Sequence, residues 1–133
     1  MKFAVVILNW NGKALLEKFL PSVMAHSYQA QIYVADNAST DDSIDFLKRE
    51  YPQVKIIQNP NNYGYAKGYN EALKNLNEPY WVLLNSDVEV TENWLKAPLE
   101  LFEKDSQIAA IQPKILDYKN KNFFEYAGAA GGF

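Results

Sequence analysis

At 133 residues the chain can own a core, since folding at this size buries about two-thirds of the surface that the unfolded chain exposes. Apolar residues make up 48 % of it, yet no run approaches the roughly 18 consecutive apolar residues of a membrane span, so none is expected. The 13 basic against 16 acidic residues leave a net charge of −3, which offers nucleic-acid phosphates no broad attraction, and the absence of cysteine excludes disulfides, thiolate catalysis and cysteine-ligated zinc.

In chain order, residues 4–8 form a short β-branched apolar run, preceded by one basic residue and too short for a secretory signal. They read as a first strand. Residues 13–25 place Leu15, Leu16, Phe19 and Leu20 at helical spacing. Residues 32–35 make a second strand, and 41–51 a helix with Ile44, Phe46 and Leu47 on one face, entered through Ser39-Thr40-Asp41-Asp42 and ended before Pro52. A third strand at 54–57 leads to a helix at 66–76, and a fourth strand at 80–84 to a helix at 91–103 in which Pro98 should introduce a kink or start a separate piece. A fifth strand is expected at 108–111, then a hairpin in which 114–116 and 123–124 flank residues 117–122. This strand-helix alternation predicts an α/β fold, a mostly parallel sheet with helices on both faces, in a single domain over 1–133.

In such sheets a ligand sits beyond the carboxyl ends of the strands. Here those ends are Asn9-Trp10-Asn11-Gly12, Asp36 to Asp41, Asn59-Pro60-Asn61-Asn62 and Asn85-Ser86-Asp87-Val88-Glu89. Each loop alone has the composition of any strand-to-helix turn. That composition explains less well the acidic groups at the ends of two different strands, or Trp10 in the first turn, where a flat aromatic would serve a nucleobase. Asp87 and Glu89 stand one residue apart after an apolar run, so on an extended segment they emerge on one side and their carboxylates meet. Two hard oxygen ligands held so close suit Mg2+, Mn2+ or Ca2+ beside substrate phosphates, although such a pair also makes a solvated turn.

Residues 61–70 set Gly64, Ala66 and Gly68 at alternate positions beside Lys67. They match neither the Walker loop nor the dinucleotide fingerprint, and suit either a ligand-contacting loop or a tightly packed helix entry. The single histidine, His26, ends a helix, where the helix dipole favours it. A hydrolase with a serine or cysteine nucleophile therefore finds little support. A nucleotidyltransferase would want a glycine-rich basic loop after the first strand, and Asn9 to Lys13 is a poor substitute.

Together, in this order, Asn9-Trp10-Asn11, Val34 to Asp41, Asn62 to Asn70 and Leu83 to Glu89 resemble the family 2 glycosyltransferases with their Rossmann-like GT-A fold, over residues 3–90. The resemblance implies a nucleotide-sugar-binding domain. In it Asp36 recognises the nucleobase, Asn9 and Asn11 line the nucleoside pocket, Lys67 and Asn70 lie beside it, Ser86 and Asp87 contact the nucleotide, and Asp87 and Glu89 hold a divalent metal, Mn2+ or Mg2+. Glu89 stands where the family's Asp-x-Asp ends in Asp. Trp10 and the ending Ala127 to Phe133 are most similar to a bacterial rhamnosyltransferase-like branch. The implied reaction is inverting transfer from a UDP- or dTDP-sugar to a glycan or lipid-linked acceptor in cell-envelope polysaccharide synthesis, in the cytoplasm or peripherally at the inner face of the membrane. The family's general base lies beyond the segment matching Gly128 to Phe133. The chain is therefore expected to be the nucleotide half of a larger enzyme, with apolar surface that a homodimer would cover, or else a nucleotide-sugar-binding or assembly module without turnover.

Overall fold

The first strand, β1 (Phe3–Asn9), is buried along nearly its whole length, so both of its faces need a cover. In the computed structural model, which describes residues 1–126, the chain supplies these covers in sequence: α1 (Lys13–His26), β2 (Ala30–Asp36), α2 (Ser43–Glu50), β3 (Lys55–Gln58), α3 (Gly64–Leu73) and β4 (Tyr80–Leu84). The strands pair in parallel in the order β3-β2-β1-β4. Right-handed crossovers dictate the rest: steps from β1 to β2 and from β2 to β3 run one way and set α1 and α2 on one face, while the return from β3 to β4 sets α3 on the other.

The burial pattern agrees. On the α3 face Ala4, Val6, Tyr33 and Ala35 pack with Tyr69 and Ala72, flanked by Leu8, Ile57, Leu73 and Leu76. The alternate residues Phe3, Val5, Ile7, Ile32 and Val34 are buried too, as are Leu16, Phe19, Leu20 and Val23 of α1 and Phe46 and Leu47 of α2. Each large apolar side chain so removed from water contributes about 1.5–3 kcal/mol.

These elements belong to the first of two compact units, Met1–Trp94; the second is Leu95–Phe133. Within the second lie α4 (Lys96–Lys104) and an antiparallel hairpin of β5 (Ile115–Leu116) and β6 (Phe124–Tyr126). The hairpin turn is held by the Asp117 carboxylate, which accepts from the amides of Lys119 and Asn120 at 3.0 and 2.6 Å. The ending Ala127 to Phe133, which carried part of the family resemblance, lies outside the described residues.

Three elements differ from the sequence expectation. The helix expected at 66–76 begins two residues earlier, at Gly64, whose φ of +72° is open to glycine, and ends at Leu73. The helix expected at 91–103 starts only at Lys96, so Pro98 falls in its first turn, where a missing amide costs little: of the two effects expected of the proline, it marks the start of a piece. Residues 108–111 form no strand: a short apolar run becomes one only when a neighbouring edge pairs with it, and none does among the described residues.

Candidate functional site

The parallel register sets Asn9 beside Asp36 at the carboxyl ends of β1 and β2. Both are almost wholly buried, 1 % and 3 % exposed, so their polar atoms must find partners inside the protein. Asn9 Nδ2 donates to Asp36 Oδ1 at 2.9 Å and to Ser39 Oγ at 3.2 Å. Asp36 also accepts from the Ser39 amide on Oδ2 at 2.9 Å and from the Ser39 hydroxyl on Oδ1 at 2.6 Å. Ser39 Oγ in turn accepts from the Asn11 amide at 2.9 Å. One hydroxyl thus ties the turn after β1 to the turn after β2.

The same two turns are laced again nearer the surface. Asn11, at φ +49°, turns its Oδ1 to accept from the amides of Thr40 and Asp41 at 2.7 and 3.2 Å. Asp41 accepts from the Lys13 amide at 3.2 Å and from the amide and hydroxyl of Ser43. Partial burial pushes its carboxyl upward, but these Ser43 and Lys13 hydrogen bonds and the Lys13 charge outweigh that and hold it below its ordinary value of 3.8. The Lys13 ammonium pairs with Asp42 at 3.0 Å. Trp10, directly after β1, is 57 % exposed.

A second buried cluster carries α3. Asn37 Nδ2 donates to the Gly64 carbonyl at 2.9 Å, and Asn59 Nδ2 donates to Asn37 Oδ1 at 2.8 Å and to the Gly68 carbonyl at 3.3 Å. The approach at Gly68 leaves no room for a side chain: a Cβ there would lie 2.8 Å from Asn37 Nδ2 and 3.0 Å from Leu8 Cδ1. Gly12 is similarly confined, with Asn9 Oδ1, a buried atom lacking a hydrogen-bond partner, 2.6 Å from the position of a Cβ. Two glycines therefore let buried amides do the joining.

The acidic segment behaves differently. The β1–β4 ladder ends at the Ile7–Leu84 pair, so among the described residues no strand pairing holds 85–89 extended. Ser86 and Asp87 form a turn instead, and the strand alternation that would bring Asp87 and Glu89 to one side does not apply. Asn85, Ser86 and Asp87 line an open cleft of about 310 Å3 with Leu8, Leu15, Tyr65 and Tyr69; Glu89, exposed, is not among its walls. At the ends of the segment, Tyr69 Oη donates to the Leu84 carbonyl at 3.0 Å and the Val90 amide donates to Ser22 Oγ at 3.2 Å.

Of the sequence candidates, the structure brings Asn9, Asn11 and Asp36 into one hydrogen-bonded group and sets Ser86 and Asp87 in the cleft. Lys67 and Asn70 are exposed on α3, outside the cleft walls, with the Lys67 ammonium 4.3 Å from the centroid of the Tyr63 ring. Sequence reasoning gave Ser39 only a place in a helix entry and singled out none of Asn37, Asn59 or Tyr69 as a site residue. The signal for the first three was an excess of short amide and hydroxyl side chains directly after strands, where each strand end leaves backbone groups to be satisfied.

Comparison with known proteins points the same way. Over 125 residues the chain is 28 % identical to an N-acetylglucosaminyl-diphospho-decaprenol L-rhamnosyltransferase of Mycobacterium tuberculosis, covering 85 % of this chain and 41 % of that protein. It is 22 % identical to an uncharacterized glycosyltransferase of Haemophilus influenzae, covering 81 % of this chain and 35 % of that one. The chain thus spans about two-fifths or less of these relatives. Its fold matches S. aureus TarS 1–349 in complex with UDP-GlcNAc (TM-score 0.69, 23 % identity, 78 % of this chain and 32 % of that one). It also matches the mannosyltransferase PcManGT of Pyrobaculum calidifontis in complex with GDP-Man and Mn2+ (TM-score 0.68, 20 % identity, 76 % and 32 %). The fold is the GT-A fold of these glycosyltransferases. The family model for glycosyl transferase family 2 matches residues 4–128, nearly the whole chain, so the chain belongs to glycosyl transferase family 2.

Proposed function

We propose that this chain forms the donor site of an inverting, metal-assisted glycosyltransferase that takes its sugar from a UDP- or dTDP-sugar. The observation that carries the reading is the convergence, at the carboxyl ends of three adjacent parallel strands, of a hydrogen-bonded Asn9–Asp36–Ser39 group and an open cleft walled by Asn85, Ser86 and Asp87. Asp36 Oδ2 accepts one hydrogen bond, and a carboxylate oxygen has capacity for a second, which the imide N–H of uracil or thymine would fill. Asn9 and Asn11 hold the walls of the nucleoside pocket, with Lys67 and Asn70 beside it.

Ser86 and Asp87 meet the diphosphate. Asp87 and Glu89 offer hard oxygen donors, and among the described residues no set of three His, Cys, Asp or Glu side chains converges to hold an ion alone. Of the two, Asp87 lines the cleft, and a single carboxylate completed by substrate phosphates suits Mg2+ or Mn2+, with Glu89 two residues further on as a second donor. When bound, the ion would stabilise the negative charge that builds on the departing diphosphate. The chain's own part is to orient the diphosphate against that charge and to fix the base at the far end.

The acceptor, by the chemistry in the name of the M. tuberculosis relative, is a glycan or lipid-linked hydroxyl. No helix among the described residues is long and apolar enough to cross a membrane. We place the reaction in the cytoplasm or at the inner membrane face, where nucleotide sugar and lipid-linked acceptor meet. Calorimetric titration with UDP, dTDP and GDP, each with Mn2+ and with chelator, tests the reading. Metal-strengthened binding of UDP or dTDP that is lost in Asp87→Ala supports it, and a folded chain that binds no nucleotide refutes it.

A further inference from the structure

Asp87 is set in place indirectly. The ladder that orders β4 stops at Leu84, and the chain between Leu84 and Val90 carries the proposed diphosphate contacts without any strand pairing. Its entry point is held by Tyr69. This phenol is 3 % exposed, and its Oη donates to the Leu84 carbonyl at 3.0 Å. Burial pushes the phenol above its ordinary value of 10.0, which keeps it protonated and a donor at any working pH.

Tyr69 is itself well fixed. It follows Gly68, whose carbonyl accepts from Asn59, and its ring packs edge to face with Tyr65 at a centroid distance of 5.0 Å. Tyr65 lies one helical turn away on the same face of α3, and its hydroxyl reaches Asn85 Oδ1 at 3.5 Å, the outer limit of a hydrogen bond. Two tyrosines at i and i+4 thus meet two successive residues at the point where the chain leaves the sheet. Both rings and Asp87 line the same cleft.

We infer that Tyr69 is a positioning residue for Asp87: its buried hydroxyl fixes the last carbonyl of β4, and with it the direction in which the acidic turn presents its carboxylate to the cleft. The buried Asn37–Asn59 pair, which grips α3 at Gly64 and Gly68, extends this control back to the turn after β2. The nucleoside and diphosphate ends of the site are then held in one frame through α3. The inference rests on the donor-site reading above.

The test is Tyr69→Phe, which keeps the ring and removes only the hydroxyl, measured in the 133-residue chain by titration with UDP and dTDP in Mn2+ and in chelator. The quantity read is the ratio of the two affinities. Loss of positioning lowers the Mn2+-dependent gain about fivefold, on the order of one net hydrogen bond, while affinity in chelator stays within about twofold of the native chain. The electron paramagnetic resonance spectrum of bound Mn2+ should broaden as its coordination becomes less uniform. An unchanged gain overturns the inference, and so does an equal fall in both affinities, which would mark a merely structural role. Failure of the donor-site reading shows in the native chain, as absent nucleotide binding or absent metal dependence, and takes the inference with it. Failure of the inference alone shows only in the variant.

Discussion

The turns after β1 and β2 and the turn after β4 lie at the same edge of one sheet, yet they are built on opposite plans. In the first region Asn9, Asp36 and Ser39 spend their hydrogen bonds on one another inside the protein, and Asn11 and Asp41 repeat the lacing at the surface. In the second, Asp87 is exposed on a segment pinned chiefly at its ends, by Tyr69 on Leu84 and by Ser22 on Val90. A region whose partners are internal contributes to stability, whereas an exposed carboxylate such as Asp87 can meet a ligand. Under the proposed function the contrast means that the nucleoside end of the site is set before binding and the diphosphate end is completed by it.

Stability measurements can break this comparison. Asp36→Ala is expected to have the largest effect, about 3 kcal/mol lost in urea denaturation, because it strands buried donors on Asn9 and Ser39. A loss below 1 kcal/mol would mean that the group is not the internal frame described. Gly68→Ala should cost about 1–3 kcal/mol by forcing α3 off Asn37 and Leu8. Ala38, between Asn37 and Ser39, holds φ +57°, which disfavours a side chain. Ala38→Gly is therefore expected to gain about 1 kcal/mol, and a loss would show that its methyl contributes packing that outweighs the backbone strain.

Smaller effects sharpen the contrast. Asp41 has its carboxyl depressed in the folded chain, so its contribution is complete above 3.8 and disappears as pH falls through the lower folded value. Asp41→Asn should flatten the acid limb of a stability–pH curve, and an unchanged limb would remove Asp41 from the frame. Asp87→Ala should change stability least, within about 0.5 kcal/mol, while abolishing the metal-dependent part of nucleotide binding. Equal losses from Asp36→Ala and Asp87→Ala in both assays would erase the distinction between the two regions.

The fold was largely legible because short β-branched runs alternate with helical spacing, and alternation of that kind admits few topologies. The helix expected at 91–103 begins later, at Lys96, because proline costs little in a first turn but much further in. The run 108–111 has the composition of a strand but forms none, because strand formation depends on a partner that the run itself does not contain. In the site, the residues could be named but their relation could not. That Asn9 bonds Asp36 follows from the register of β1 against β2, and that Ser86 and Asp87 turn follows from where the β4 ladder stops. Register and ladder length are tertiary quantities, and so is the reach of Tyr69 to Leu84. Its position inside a helix marks it only as an aromatic on a buried face.

The exposed indole of Trp10 gives the chain an optical reporter. A nucleobase laid on that ring would shield it from water and gain about 1–3 kcal/mol of stacking, so its emission should shift to the blue and weaken as nucleotide is added. Trp81, half-exposed on β4, and Trp94, whose Nε1 donates to Ser27 Oγ, would form a steady background. Comparing the chain with Trp10→Phe isolates the signal. A few micrograms in a fluorimeter could then report occupancy of the pocket for each candidate base in turn, without turnover or acceptor.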